Sequence, residues 1–208
     1  MAERRAEPAE AERPQQLRLF VACELPDEVK RALGRIQDDL RSALSGGAVR
    51  LRWVRPESVH VTLKFLGEVE ETRVAEITSA LAAAVEPFEL RLSSSAGLGG
   101  FGGARLRVVW LGLEGDVEAL AALASRVEQA LTPLGFPAER RPFAAHLTIA
   151  RVPDRASPEE RRQLALLLER HRTPALPSMI LTEVRLMRSV LGPGGSAYYR
   201  IASFPQQG

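Results

Sequence analysis

The stretches Val59–Leu66 (VHVTLKFL) and Ala145–Val152 (AHLTIARV) decide how this chain folds, because both read as strands and both carry the same pattern. The chain holds three histidines, and two of them, His60 and His146, open the pattern His-apolar-Thr-apolar, 86 residues apart. Side chains alternate faces along a strand, so His60 and Thr62 point one way while Val61, Leu63 and Phe65 point toward the core. His146 and Thr148 repeat the arrangement. Each His and its Thr stand about 6.5–7 Å apart along the strand, close enough to hold one phosphate-sized group. Packing asks for no histidine opposite a buried face, so its placement there twice asks for a chemical reason.

The surroundings of the motifs repeat as well. Leu17–Leu25 (LRLFVACEL) reads as a buried strand, and Val29, Leu33, Ile36, Leu40 and Leu44 recur at helical spacing behind Asp27 until Gly46-Gly47. Leu106–Leu113 (LRVVWLGL) is a second buried strand, followed by a helix with Val117, Leu120, Leu123, Val127 and Leu131 on its stripe. A further helix follows Glu71, and Phe88–Ser93 alternates as a strand. Ser157-Pro158-Glu159-Glu160 is a capping box with proline at the first helical position. Met179–Val190 and Ala197–Phe204 form a hairpin across Gly192–Gly195. The expectation is an α+β, bilobal fold in which two pseudo-symmetric, mainly antiparallel sheets with outer helices surround a central cleft. Residues 1–16 are expected as a disordered leader. Residues 17–208 are expected as one bilobal domain, a duplicated unit at about 17–95 and 105–190 followed by the C-terminal hairpin.

Composition narrows the classes. Hydrophobic content is 45% over 208 residues, enough for a full core, and net charge is only +2. Lys30 and Lys64 are the only lysines among 28 basic residues, an arginine bias that suits phosphate contact without requiring it. One cysteine, Cys23, excludes an internal disulfide framework and suits a reducing compartment; its place in an apolar strand marks a small core residue. The start has no apolar run for a signal peptide, and no stretch reaches membrane-span length. A cytoplasmic monomer with no membrane contact is expected.

Two histidines suit one general acid and one general base, and in-line displacement at phosphorus needs them on opposite walls. Symmetry does not say which is which. The threonine hydroxyls can donate to non-bridging oxygens. Zinc would need at least three protein ligands, and no Cys, Asp or Glu stands at ligand spacing from either motif His, so no metal or other cofactor is expected. Gly97–Gly102 matches G-x-G-x-x-G by letter, but a strand-like segment follows it where a dinucleotide site opens a helix, so a mobile inter-lobe loop is expected there. His171, near a helix C-terminus, is read as structural. Lys64 has the strand parity of His60 and Thr62 and is a candidate phosphate contact. Arg151 has the opposite parity to His146, so a phosphate role requires a bulge or strand end. Phe143 is read as core, with base stacking as the alternative.

The segments WVRPESVHVTLKFLGE, FGGARLRVVWLGL, RPFAAHLTIAR and RLMRSVLGPGGSAYYRI together resemble the bacterial and archaeal RNA 2′,3′-cyclic phosphodiesterases, also called the 2′-5′ RNA ligase family, within the two-histidine phosphoesterases. The resemblance covers about residues 17–204. It implies metal-free hydrolysis of a terminal 2′,3′-cyclic phosphate to a 2′-phosphate, with His60 as proton donor to the leaving 3′ oxygen and His146 as the base that activates water. RNA ends, tRNA fragments or small cyclic nucleotides are the substrates it suggests. Family members commonly carry proline before the second histidine; Ala145 stands there, which suggests a less rigid strand entry. The alternatives are 2′-5′ ligation, the reverse reaction, and an RNA-end or nucleotide-binding module without chemistry.

Overall fold

A computed structural model describes residues 15–46, 49–101, 106–192 and 195–205. Most of the expected leader, the Pro193-Gly194 turn and Gly102 of the glycine run lie outside the described residues. Along the chain the elements are β1 (Gln16–Glu24), α1 (Asp27–Ala43), β2 (Arg52–Trp53), β3 (His60–Glu70), α2 (Val74–Ala84), β4 (Leu90–Phe101), β5 (Val108–Gly115), α3 (Val117–Leu131), β6 (His146–Arg151), α4 (Pro158–Arg170), β7 (Met179–Leu181), β8 (Val184–Gly192) and β9 (Gly195–Phe204). They build two antiparallel sheets, β3-β1-β8-β9 and β2-β6-β5-β4-β7. The expected α+β architecture is observed, with one motif strand in each sheet.

The strands belong to these sheets for a packing reason. Hydrophobic residues of both sheets join with the helix stripes in one continuous apolar cluster. α1 contributes Val29, Leu33, Ile36 and Leu40, and α3 contributes Leu120, Ala124, Val127 and Leu131, each set at the 3.6-residue period. The helices cross over. α3 leaves the second sheet and rests against β3 of the first, while α1 leaves the first sheet and is bonded to the second through Gln37, whose amide reaches Ile149 of β6. The capping box of α4 is present, with Glu160 N donating to Ser157 Oγ at 3.2 Å.

The glycine run corrects an expectation. Gly97–Gly100 form no mobile loop: they continue β4 to Phe101, with Leu98, Gly99, Gly100 and Phe101 opposite Leu111, Trp110, Val109 and Val108. Glycine is needed for close approach. A Cβ on Gly99 would overlap the Trp110 indole, and one on Gly100 would overlap the Leu106 side chain. The strand therefore carries Phe101 up to His146.

Gly99→Ala should accordingly cost about 1–3 kcal/mol through overpacking against Trp110. Urea denaturation measures it. A variant as stable as the parent would mean that Trp110 has room to move.

Candidate active site

Each motif histidine opens its strand, and each ring is clamped in the same way. His60 lies opposite Glu24 on β1 and His146 opposite Gly112 on β5. Nδ1 of His60 is 2.9 Å from the carbonyl oxygen of Ser58, and Nδ1 of His146 is 2.6 Å from that of Ala144, in both cases two residues upstream. A carbonyl oxygen only accepts, so Nδ1 carries the proton and donates it. Nε2 is thereby left as the nitrogen that gains or loses a proton. Without proline, the entry to β6 is still tied down: Leu113 N donates to Ala145 O at 3.2 Å. Thr62 and Thr148, two residues on, are half-buried on the histidine side of their strands.

Beyond the threonines both strands break their alternation. On β3, Ala22 faces Thr62 and Val21 faces Lys64, leaving Leu63 as an extra residue; on β6, Trp110 faces Thr148 and Val109 faces Ala150, leaving Ile149 extra. These are β-bulges, and each puts two consecutive residues into the core, Leu63-Lys64 and Ile149-Ala150. Parity inverts after them. Phe65, expected in the core, is 61% exposed, and its ring centroid is 6.3 Å from that of Phe20, the residue stacked on His60. Lys64, expected beside His60 and Thr62, turns away from them and is 3% exposed. Its Nζ donates to Glu128 Oε1 at 3.1 Å and to Pro137 O at 2.8 Å, which makes it a structural tie to α3. Arg151 gains what its parity lacked. The bulge brings it to the histidine side, exposed, with its charge near enough to bear on His60.

Aromatic walls surround both imidazoles. Phe20 stacks on His60 with centroids 4.7 Å apart and planes at 27°, and Tyr198 meets it edge-on at 5.2 Å. Phe101 and Trp110 meet His146 edge-on at 4.7 and 6.3 Å. Burial against these rings pushes His60 down from 6.5 to about 4, with the nearby charges of Arg151 and His146 adding to the fall and the Ser58 hydrogen bond opposing it. Burial also lowers the pKa of His146, opposed by its bond to Ala144. Desolvation penalises the charged form, so both rings are neutral at pH 7 in the free protein, each with a free lone pair on Nε2.

Two neutral, identically clamped imidazoles, one on each sheet's motif strand, with a threonine beside each and an arginine within electrostatic reach, make an arrangement that has the chemistry to hold an anion and to exchange protons with it. Known proteins are similar to this chain in sequence and fold. The sequence profile of the 2′-5′ RNA ligase superfamily matches residues 25–192. The chain belongs to that superfamily. Relatives within it include an RNA 2′,3′-cyclic phosphodiesterase of Methanothermobacter thermautotrophicus, 36% identical over 88% of this chain and 95% of its own length. One of the same name from Archaeoglobus fulgidus is 35% identical over 90% and 99%. A solved structure from Thermus thermophilus matches with a TM-score of 0.65 at 28% identity, covering 90% of this chain and 97% of that one.

Other residues singled out in the sequence serve packing or ion pairing. His171 caps the end of α4, and its Nε2 lies 2.9 Å from Asp39 Oδ2 on α1. Cys23 is buried, and burial pushes its thiol up to about 12, so it is no nucleophile. Phe143 packs against the main core. Phe20 and Trp110 escaped sequence reading because β1 and β5 are apolar on both faces, which leaves no alternation to say which side faces the groove, and Phe101 and Tyr198 because the rings they meet come from strands distant in the chain. A cavity of about 470 Å³ opens beside His60, lined by Arg55, Glu57, Tyr198 and Tyr199 among others.

Lys64 and Arg151 should separate cleanly on substitution. Lys64→Ala leaves the Pro137 carbonyl unpaired and Glu128 without its cation, and should cost about 2–3 kcal/mol of stability in urea denaturation. Arg151→Ala should leave stability within about 0.5 kcal/mol, as for an exposed residue, while weakening the affinity for inorganic phosphate about tenfold or more by titration calorimetry. The reverse pattern would undo the assignment of faces.

Proposed function

We propose that this chain is an RNA 2′,3′-cyclic phosphodiesterase that hydrolyses a terminal 2′,3′-cyclic phosphate to a 2′-phosphomonoester by acid/base catalysis from His60 and His146. The reading rests above all on one observation: the two strand-opening imidazoles are held in the same tautomer by carbonyls two residues upstream, with Nε2 left to move protons. The names of the relatives support the same activity.

In the proposed reaction, the phosphate lies between the motif strands, its non-bridging oxygens receiving hydrogen bonds from Thr62 and Thr148 and the charge of Arg151. His146 Nε2 takes a proton from a water that attacks phosphorus opposite the 3′ oxygen. As the P–O3′ bond breaks, the imidazolium of His60 gives its Nε2 proton to O3′, leaving the phosphate on O2′. Burial that keeps His60 neutral in the free protein makes its imidazolium a strong acid once the bound anion has drawn a proton onto it. Lys64 has no part in this scheme. The protein is proposed to act as a cytoplasmic monomer on RNA ends, tRNA fragments or small cyclic nucleotides. The buried free thiol of Cys23 is compatible with a reducing compartment, and no helix among the described residues is long and apolar enough to cross a membrane.

His60→Ala and His146→Ala should each lower turnover of a 2′,3′-cyclic nucleotide by about 10²–10⁴-fold, the usual cost of a lost general acid or base. Thr62→Val and Thr148→Val should each lower kcat/KM by about 10–100-fold, the loss of one bond to an anion worth about 1.5–3 kcal/mol. A 3′-phosphate product, or activity lost in EDTA and restored by a divalent ion, would refute the scheme.

The depressed histidines also set the pH dependence. One imidazole must be charged, and both resist charging in the free protein, so kcat/KM should fall as pH rises with its alkaline limb below about 6.5, the ordinary imidazole value. Bound phosphate favours the imidazolium, so the alkaline limb of kcat should lie at higher pH. Rate profiles across about pH 4–9 test this, and a kcat/KM limb above about 7 would mean that burial does not hold the rings neutral.

A further inference from the structure

We propose that Gln37 is a positioning residue for the phosphate site: its side-chain amide holds the β6 bulge that turns Arg151 toward the histidines. Gln37 lies on α1 between the core residues Ile36 and Leu40 and is itself fully buried. A buried amide in an apolar stripe is costly unless it is paired. Its Nε2 donates twice, to Val54 O at 2.7 Å and to Ile149 O at 2.9 Å. Ile149 is the extra residue of the bulge, whose carbonyl also accepts from Val54 N at 3.0 Å. The bulge lies in the pairing of β6 with β5, while this carbonyl continues the pairing of β6 with β2 through Val54 N, and Gln37 adds a second donor that ties the bulged residue to α1. Meanwhile Gln37 Oε1 is buried without a hydrogen-bond partner among the described residues. A leucine would avoid that orphaned acceptor, so the position is explained by its two donor bonds rather than by filling space.

The second half of the chain carries a counterpart. Matching the stripe of α1 to that of α3, Ile36 to Val127 and Leu40 to Leu131, sets Gln37 against Glu128. Glu128 in turn binds Lys64, the residue just past the β3 bulge. Each crossing helix thus sends one polar side chain to the bulge of the opposite sheet's motif strand. In β3 the tie is an ion pair; in β6 it is an amide on a carbonyl. The bulge held by Gln37 is the one that decides where Arg151 lies.

The inference rests on Arg151 serving the phosphate, and the test separates the two claims. In the full chain, Gln37→Leu should lower kcat/KM for a 2′,3′-cyclic nucleotide about tenfold. In an Arg151→Ala background the same change should cost less than about twofold, whereas with Thr62→Val on the other strand the losses should multiply, because only Arg151 depends on the bulge. Gln37→Met, unbranched and close in shape, serves if the leucine variant folds poorly. Affinity for inorganic phosphate, by calorimetry, should weaken in Gln37→Leu and be insensitive to that change once Arg151 is alanine. This arm needs no turnover, so a parent protein inert toward cyclic phosphate would sink the proposed function and still leave Gln37 decidable. Phosphate affinity and kcat/KM within about twofold of the parent, or full multiplication with Arg151→Ala, would overturn the proposal.

Discussion

A regular strand can show only every second side chain to one surface, and each motif strand breaks that rule just past its threonine. His60 and Thr62, like His146 and Thr148, obey it. The extra residues Leu63 and Ile149 then invert it, so that Phe65 and Arg151, each five residues beyond its histidine, return to the histidine side. Without the bulges, the groove would carry Lys64 and Ala150 at those places. The bulges thus convert a repeated four-residue motif into an asymmetric site, with an aromatic ring beyond one pair and a guanidinium beyond the other.

The interior pays for this asymmetry in buried polarity. Lys64 is sent into the core side of β3 and survives there because Glu128 and the Pro137 carbonyl take its protons in hydrogen bonds. The Ile149 carbonyl is supplied by Gln37 and Val54. Both side-chain ties come from helices that leave one sheet and lie on the other, so the geometry of each motif strand depends on an element from the opposite half of the chain. Crossing of this kind makes the two sheets one packing unit, in keeping with the single apolar cluster that joins them.

The aromatic walls have a chemical as well as a packing consequence. Phe20 and Tyr198 on one side, and Phe101 and Trp110 on the other, strip water from the imidazoles without offering them a counter-charge. Burial alone would give two inert neutral rings. The upstream carbonyls fix the tautomer, which leaves Nε2 as the nitrogen able to exchange a proton.

The α+β class, the two motif strands and the stripes of α1 and α3 were legible in the sequence because they are written in short-range period: two for a strand, 3.6 for a helix. The face that His60 shares with Thr62, and His146 with Thr148, was legible for the same reason, since these residues precede the bulges. Phe65, Lys64 and the continuation of β4 through Gly97–Gly100 were misread, and the aromatic walls were not read at all. Each depends on what lies across the sheet. A bulge is defined by the partner strand's register, a glycine's close approach by the Trp110 opposite it, and an aromatic wall by strands far apart in the chain. Local sequence determined which residues can form strands and carry acid/base chemistry; only tertiary packing decided which of them share the groove, because side-chain direction past an irregularity is set by long-range pairing.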